Sequence, residues 1–192
     1  MEDKIEQLGQ ILKSNDLLQE ILKRAGVLQM PNWYLAAGCI SQTAWNAFHG
    51  FEATHAIKDY DLVYYDATDT SYEAEDVFIR KGEKLFKDIP ALVEIRNQAR
   101  VHLWHERRFG FPIKPYQSVE DGIKSWPTTA TCTGIRYENQ KLHVYAPYGL
   151  DDLLDMIVRP NKALVTKEMY QNKVEGWAKV WPKLKIIPWD EG

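Results

Sequence analysis

Between Trp33 and Asp61 the chain passes through an apolar run, Trp33-Tyr34-Leu35-Ala36, then Gly38, then a stretch carrying Ala44, Trp45 and Phe48 at helical spacing. It continues into a β-rich run that begins Asp59-Tyr60-Asp61. This order reads as a strand, a glycine turn, a helix and a second strand headed by two carboxylates. Residues two apart in a strand share a face, so Asp59 and Asp61 point to one side and Tyr60 to the other. Neighbouring carboxylates repel. A divalent cation between them relieves that repulsion, and hard oxygen ligands suit Mg²⁺ or Mn²⁺. The turn at Gly38 opens a helix whose first amides and dipole favour an anion. A cation place beside an anion place points to a metal nucleotide. On the turn alone, the plainer reading is a strand-to-helix corner that needs glycine.

The 192 residues, 45% apolar and 27% charged, suffice for one substantial core. The expectation is one domain over residues 1–192, with a helical N-terminal lead-in (about 1–26) and a C-terminal helix (about 166–181). No apolar run approaches the roughly 20 residues of a membrane helix, and the N-terminus is polar, so no membrane partner and a cytoplasmic location are expected. Cys39 and Cys132 lie far apart without metal-ligand spacing and read as small buried side chains. The net charge of −3 argues against extended DNA binding. Arg96 to Lys114 and Arg159 to Lys185 are nevertheless mostly basic, which leaves room for a local phosphate patch.

Elsewhere the pattern divides into helices and strands. Ile5, Leu8, Ile11 and Leu12, then Leu17, Leu18, Ile21 and Leu22, form two apolar stripes separated by Ser14-Asn15-Asp16. Thr70-Ser71-Tyr72-Glu73 has capping-box spacing and starts a helix to about Lys87. Residues 91–104 read as a long strand or a strand with a bent continuation, with Leu92, Glu94, Arg96 and Gln98 on one face and Val93, Ile95 and Asn97 on the other. Glu94 interrupts an apolar run, where a carboxylate is costly to bury. It is either a third cation ligand or an edge-strand glutamate paired with a nearby arginine. His102 and His105 lack a third ligand for zinc. Residues 129–137 and 142–145 read as a hairpin. Tyr170, Val174, Trp177 and Trp181 form a docking stripe, and Lys173, Lys179, Lys183 and Lys185 around it read as a charged outer face or, alternatively, as contacts for an acidic acceptor.

Leu35-Ala36-Ala37-Gly38-Cys39 followed by Asp59-Tyr60-Asp61 resembles the signature of the polymerase β-like nucleotidyltransferase superfamily. More closely, Ala44-Trp45-Asn46, Asp59-Tyr60-Asp61 and Arg96-Asn97-Gln98-Ala99-Arg100-Val101-His102 resemble a small bacterial family of nucleotidyltransferase-like proteins of about this length. The resemblance implies an α/β fold of the α+β kind, a mixed β-sheet flanked by helices. It implies that Asp59 and Asp61 bind Mg²⁺ (or Mn²⁺), that Glu94 takes the third carboxylate place, and that the turn at Gly38 receives the triphosphate. Where the superfamily has glycine or serine after the turn glycine, this chain has Cys39, with Ser41 as the nearby hydroxyl. Arg96 and Arg100 are candidates to neutralise pyrophosphate. The expected catalytic and metal-binding residues are thus Asp59, Asp61 and Glu94, and the expected nucleotide contacts are Gly38, Cys39, Ser41, Arg96 and Arg100. The implied reaction moves a nucleoside monophosphate from an NTP to an acceptor and releases pyrophosphate. The alternative is a degenerate member that binds nucleotide or a partner protein without transfer. A small molecule, an RNA end and a protein side chain all stay open as acceptor.

Overall fold

The computed structural model describes residues 2–191; Met1 and Gly192, both inside the expected domain, lie outside the described residues. Two N-terminal helices, α1 (Glu2–Leu12) and α2 (Asp16–Ala25), lead to β1 (Tyr34–Ala36), α3 (Gly38–His49) and β2 (Asp59–Tyr64). Next come α4 (Tyr72–Leu85), β3 (Leu92–Asn97), α5 (Val101–Phe109) and α6 (Val119–Lys124), followed by the hairpin β4 (Gly134–Glu138) and β5 (Lys141–Tyr145). The chain closes with α7 (Asp151–Leu154), β6 (Ile157–Val158), α8 (Lys167–Val180) and β7 (Lys185–Ile186). The main sheet has the order β3-β2-β1-β4-β5, in which only β2 and β3 run parallel, while β6 and β7 form a separate parallel pair. The architecture is a mixed sheet flanked by helices.

Strand alternation gives the sheet two unlike faces. Leu35, Tyr60, Leu62, Tyr64, Ile95 and Ile135 face the main core, where Leu8, Leu18, Ile21 and Ile40 of the helices meet them. Tyr34, Ala36 and Val63 face the other way, and α6 covers only part of that side through Val119 and Ile123. At Gly134 an added Cβ would lie 2.8 Å from Ile123 Cδ1 and 3.0 Å from Tyr34 Cγ. Glycine there lets α6 sit close to the sheet. Beyond α6 the same face opens into a cleft.

Local chemistry sets the element ends. Asn15 caps α2 by accepting from Leu18 N at 3.0 Å, and its amide donates to Thr43 Oγ1 at 2.8 Å, which joins the lead-in helices to α3. Gly50 ends α3 in the left-handed region at φ 71°. Ser71, and not Thr70, caps α4 by accepting from Ala74 N, so the capping box read at residues 70–73 is not used. Asn139 and Gln140, at φ 48° and 65°, make the tight turn of the β4–β5 hairpin.

Two expected strands are shorter than their patterns. The run 91–104 leaves the sheet after Asn97, whose buried side chain accepts from Ala99 N at 3.1 Å and Asp66 N at 3.0 Å and donates to Asp66 O at 2.8 Å. That amide starts a 3-10 turn at Gln98–Arg100, and α5 follows. The first hairpin arm begins only at Gly134, because Thr129–Thr131 is a 3-10 turn in which Thr131 Oγ1 donates to Thr128 O. Hydroxyl side chains that bond nearby backbone compete with a strand ladder. Cys39 and Cys132 are both buried and free. Among the described residues no helix is long and apolar enough to cross a membrane.

Candidate active site

A row of residues runs across the sheet, and its acidic end forms the cleft floor. Glu94 of β3 pairs in register with Asp61 of β2, Asp61 with Ala36 of β1, and Ala36 with Gly134 of β4. Asp59 lies two residues before Asp61 on the same face. Farther along the row Ala36 is buried, and Ile123 of α6 and Tyr34 occupy the space that a side chain at Gly134 would need. The cleft above has a volume of about 1220 Å³ and is bounded by the start of α3, by α5 and by α8.

The acids strain one another electrostatically. Burial, then the Asp59 and Glu94 carboxylates, push the Asp61 carboxyl up to about 7, while Lys173 and Arg96 oppose the shift. Hard carboxylate donors crowded on one face are the kind of set that holds Mg²⁺ or Mn²⁺. The set is not gathered into a finished cage. Glu94 sits on the edge strand with Oε2 3.4 Å from Arg96 Nη2, and among the described residues no three His, Cys, Asp or Glu side chains form a group that would hold a cation.

The turn into α3 carries its unusual backbone at Ala37, with φ 64° and ψ −135°, and not at Gly38. Ala37 N donates to Thr133 O at 3.0 Å, which pins the corner to the start of β4. No side chain caps the helix, and Ile40 N donates to Ala37 O at 3.2 Å, so the amides ahead of Ile40 are those left for the cleft. Gly38 lines that cleft, where an added Cβ would lie 2.9 Å from Gln42 Nε2. A non-glycine residue held in such a conformation costs about 1–3 kcal/mol. Ala37→Gly is therefore expected to stabilise the protein by about 1 kcal/mol, once the extra freedom of glycine in the unfolded chain is deducted. An unchanged or lower denaturation midpoint would show that the corner is not strained.

Three expected nucleotide contacts, Cys39, Ser41 and Arg100, have side chains engaged elsewhere. Cys39 is buried against the core, with Sγ donating to Ala36 O at 3.3 Å, and burial followed by the Asp61 charge pushes its thiol well above the ordinary value. Its side chain does not reach the cleft. Ser41 is fully buried and donates to Gly38 O at 3.2 Å, because position 41 falls on the inner face of α3. Arg100 touches the cleft but spends its donors on Glu75 and on Thr70 O, since the 3-10 turn directs it toward α4. Gly38 and Arg96 do line the cleft, with Asp59, Asp61 and Glu94.

Lys173 is the residue the sequence pattern misassigned. Instead of belonging only to an outer face, it projects from α8 into the cleft that holds Asp59 and Asp61, with Nζ 5.3 Å from the Trp177 ring centre. The surrounding walls lower its pKa although the residue keeps contact with cleft water, and Asp61, then Asp59, oppose the fall. A signal was present in the helical spacing of Met169, Lys173, Gly176 and Val180, all of which face the cleft. What that flank of the helix would face was not written in it. Trp177 and Trp181 anchor α8 by packing edge-on against Trp45 at 5.2 and 5.5 Å, and Trp181 Nε1 donates to Asn46 Oδ1 at 2.7 Å.

A protein-family model described as nucleotidyltransferase matches residues 23–186 of this chain. No curated protein matches it. Among solved structures the chain is similar to a protein whose NMR structure is described as revealing a CCA-adding enzyme head domain. The two are 25% identical with a TM-score of 0.76, and 95% of each chain is covered.

Proposed function

The chain belongs to the nucleotidyltransferase family, and from that premise we propose that it moves a nucleoside monophosphate from an NTP to an acceptor with release of pyrophosphate. In this reading Asp59, Asp61 and Glu94 hold Mg²⁺ or Mn²⁺, and the whole chain works as one domain around the cleft. The observation that carries it is the in-register pair of Asp61 and Glu94, on the sheet face that the uncapped start of α3 overlooks. A bound divalent cation would offset phosphate charge and lower the pKa of an acceptor hydroxyl.

The chain's own groups divide the remaining work. The first amides of α3, with Gly38 keeping the approach free of a side chain, receive phosphate oxygens. Lys173 and Arg96 supply positive charge from two walls of the cleft toward the departing pyrophosphate. Glu94, now paired with Arg96 at 3.4 Å, would hold a cation only if that pairing loosened. Lys173→Met is expected to weaken NTP binding about tenfold, equal to about 1.4 kcal/mol. An unchanged Kd in direct titration would remove α8 from the phosphate site.

Incubating the pure protein with each NTP, Mg²⁺ or Mn²⁺ and pools of candidate acceptors, while following pyrophosphate, tests the transferase reading. One observation favours the second reading, a nucleotide-binding module without transfer: Glu94 is paired with Arg96 and the three carboxylates are not gathered. NTP binding without pyrophosphate release across every acceptor pool would favour that module.

A further inference from the structure

The cleft is larger than one nucleotide needs, and its far wall differs from the phosphate side. At about 1220 Å³ it exceeds the roughly 300–1,000 Å³ of a single small-molecule site. Helix α5 turns Val101, Trp104, His105 and Arg108 into it at helical spacing, with Arg107 at the flank, and Trp126 lines it as well. Arg107 and Arg108 are exposed, and among the described residues neither makes an ion pair. Their placement contrasts with Arg100, one helix turn and more upstream, which is tied to Glu75. The helix dipole accounts for cations at this end of α5. It does not account for two guanidinium groups without a carboxylate partner, Arg108 resting over the Phe109 ring at 5.6 Å, sharing an opening with two indole rings.

We propose that this wall binds the acceptor, and that the acceptor is a nucleotide bearing a phosphate, either free or at the end of a short single strand. The inference rests on the transferase reading above and names the acceptor class for that same cleft. Guanidinium groups recognise phosphate oxygens, and indole rings give a base a flat surface to stack on without reading its identity. The short length of the wall and the net charge of −3 suit a mononucleotide or a strand end and not a long duplex.

The probes are AMP, adenosine and a short 5′-phosphorylated oligoadenylate, titrated with a chelator present so that no transfer occurs. AMP is expected to bind more tightly than adenosine. The double variant Arg107→Gln, Arg108→Gln should bind AMP about tenfold more weakly, equal to about 1.4 kcal/mol. Equal affinity for AMP and the oligoadenylate identifies a free nucleotide as the source, and tighter oligoadenylate binding identifies a strand end. The expected binding must persist when Mg²⁺ and a saturating non-hydrolysable NTP analogue are added. Displacement of AMP by that analogue would assign the wall to the NTP and overturn the proposal, as would a double variant that binds AMP like the parent. Arginine-dependent AMP binding in a protein that releases no pyrophosphate from any NTP would overturn the transferase reading and leave the nucleotide-binding wall in place.

Discussion

Asp61→Asn is expected to reduce nucleotidyl transfer by about 10³-fold or more while making the metal-free protein more stable. The first half follows from the role proposed for the carboxylate: charge stabilisation at such a site is worth several kcal/mol, and each 1.36 kcal/mol is about a factor of ten in rate. The second half follows from the same crowding. The carboxyl titrates at about 7 in the folded chain against an ordinary 3.8, so between those values the folded state keeps a proton that the unfolded chain has released. Stability from this group is fully present below the lower value and is lost as pH rises through the upper one. Asparagine has no charge to desolvate. In a chelator the variant should therefore melt above the parent at pH 8, and the gap should close as pH falls toward about 4. Thermal melts across that range, beside pyrophosphate release with Mg²⁺, check both halves. A variant that melts below the parent at every pH would mean that Asp61 supports the fold and is not a crowded site carboxylate.

Glu75→Ala is expected to lower stability by about 3–5 kcal/mol, the usual effect of stranding one member of a buried ion pair. Glu75 and Arg100 have side chains only 6% and 10% exposed, so a charge that loses its partner stays largely desolvated. Glu75 also accepts from Asn97 N at 2.8 Å, so its removal leaves an amide unpaired where β3 gives way to the turn before α5. The loss should thus spread from α4 to the helix that carries Trp104 and Arg108. A double variant, Glu75→Met with Arg100→Met, should recover the part of the loss that comes from a stranded charge, while the Asn97 amide stays unpaired. Urea midpoints of the single and double variants measure this. Should Arg100→Met alone keep the parent's stability yet lose NTP binding, Arg100 would be a phosphate contact after all.

The two predictions concern residues that differ in how visible they were. Asp59 and Asp61 stand out because period-two alternation is a property of the backbone, and an acidic pair at the head of an apolar strand conflicts with burial unless something satisfies it. The mixed sheet flanked by helices was legible from the same patterns together with a family resemblance. The direction Arg100 takes was not legible, because the run 91–104 read equally as one long strand or as a strand with a bent continuation. The buried Asn97 amide ends that strand and turns Arg100 toward α4.

The amino-acid order by itself determined the local matters: where helices cap, where Gly50 and the hairpin turn redirect the chain, and which side chains of β2 and β3 share a face. These depend on dihedral preferences and hydrogen bonds within a few residues. Tertiary structure alone decided that Glu94 falls opposite Asp61, that Lys173 comes from the far end of the chain to face both aspartates, and that Cys39 and Ser41 turn inward. Register and helix docking are settled by burying the apolar faces of distant segments together. Trp45 against Trp177 and Trp181 does this for α8, and no local pattern encodes which partner a face will find.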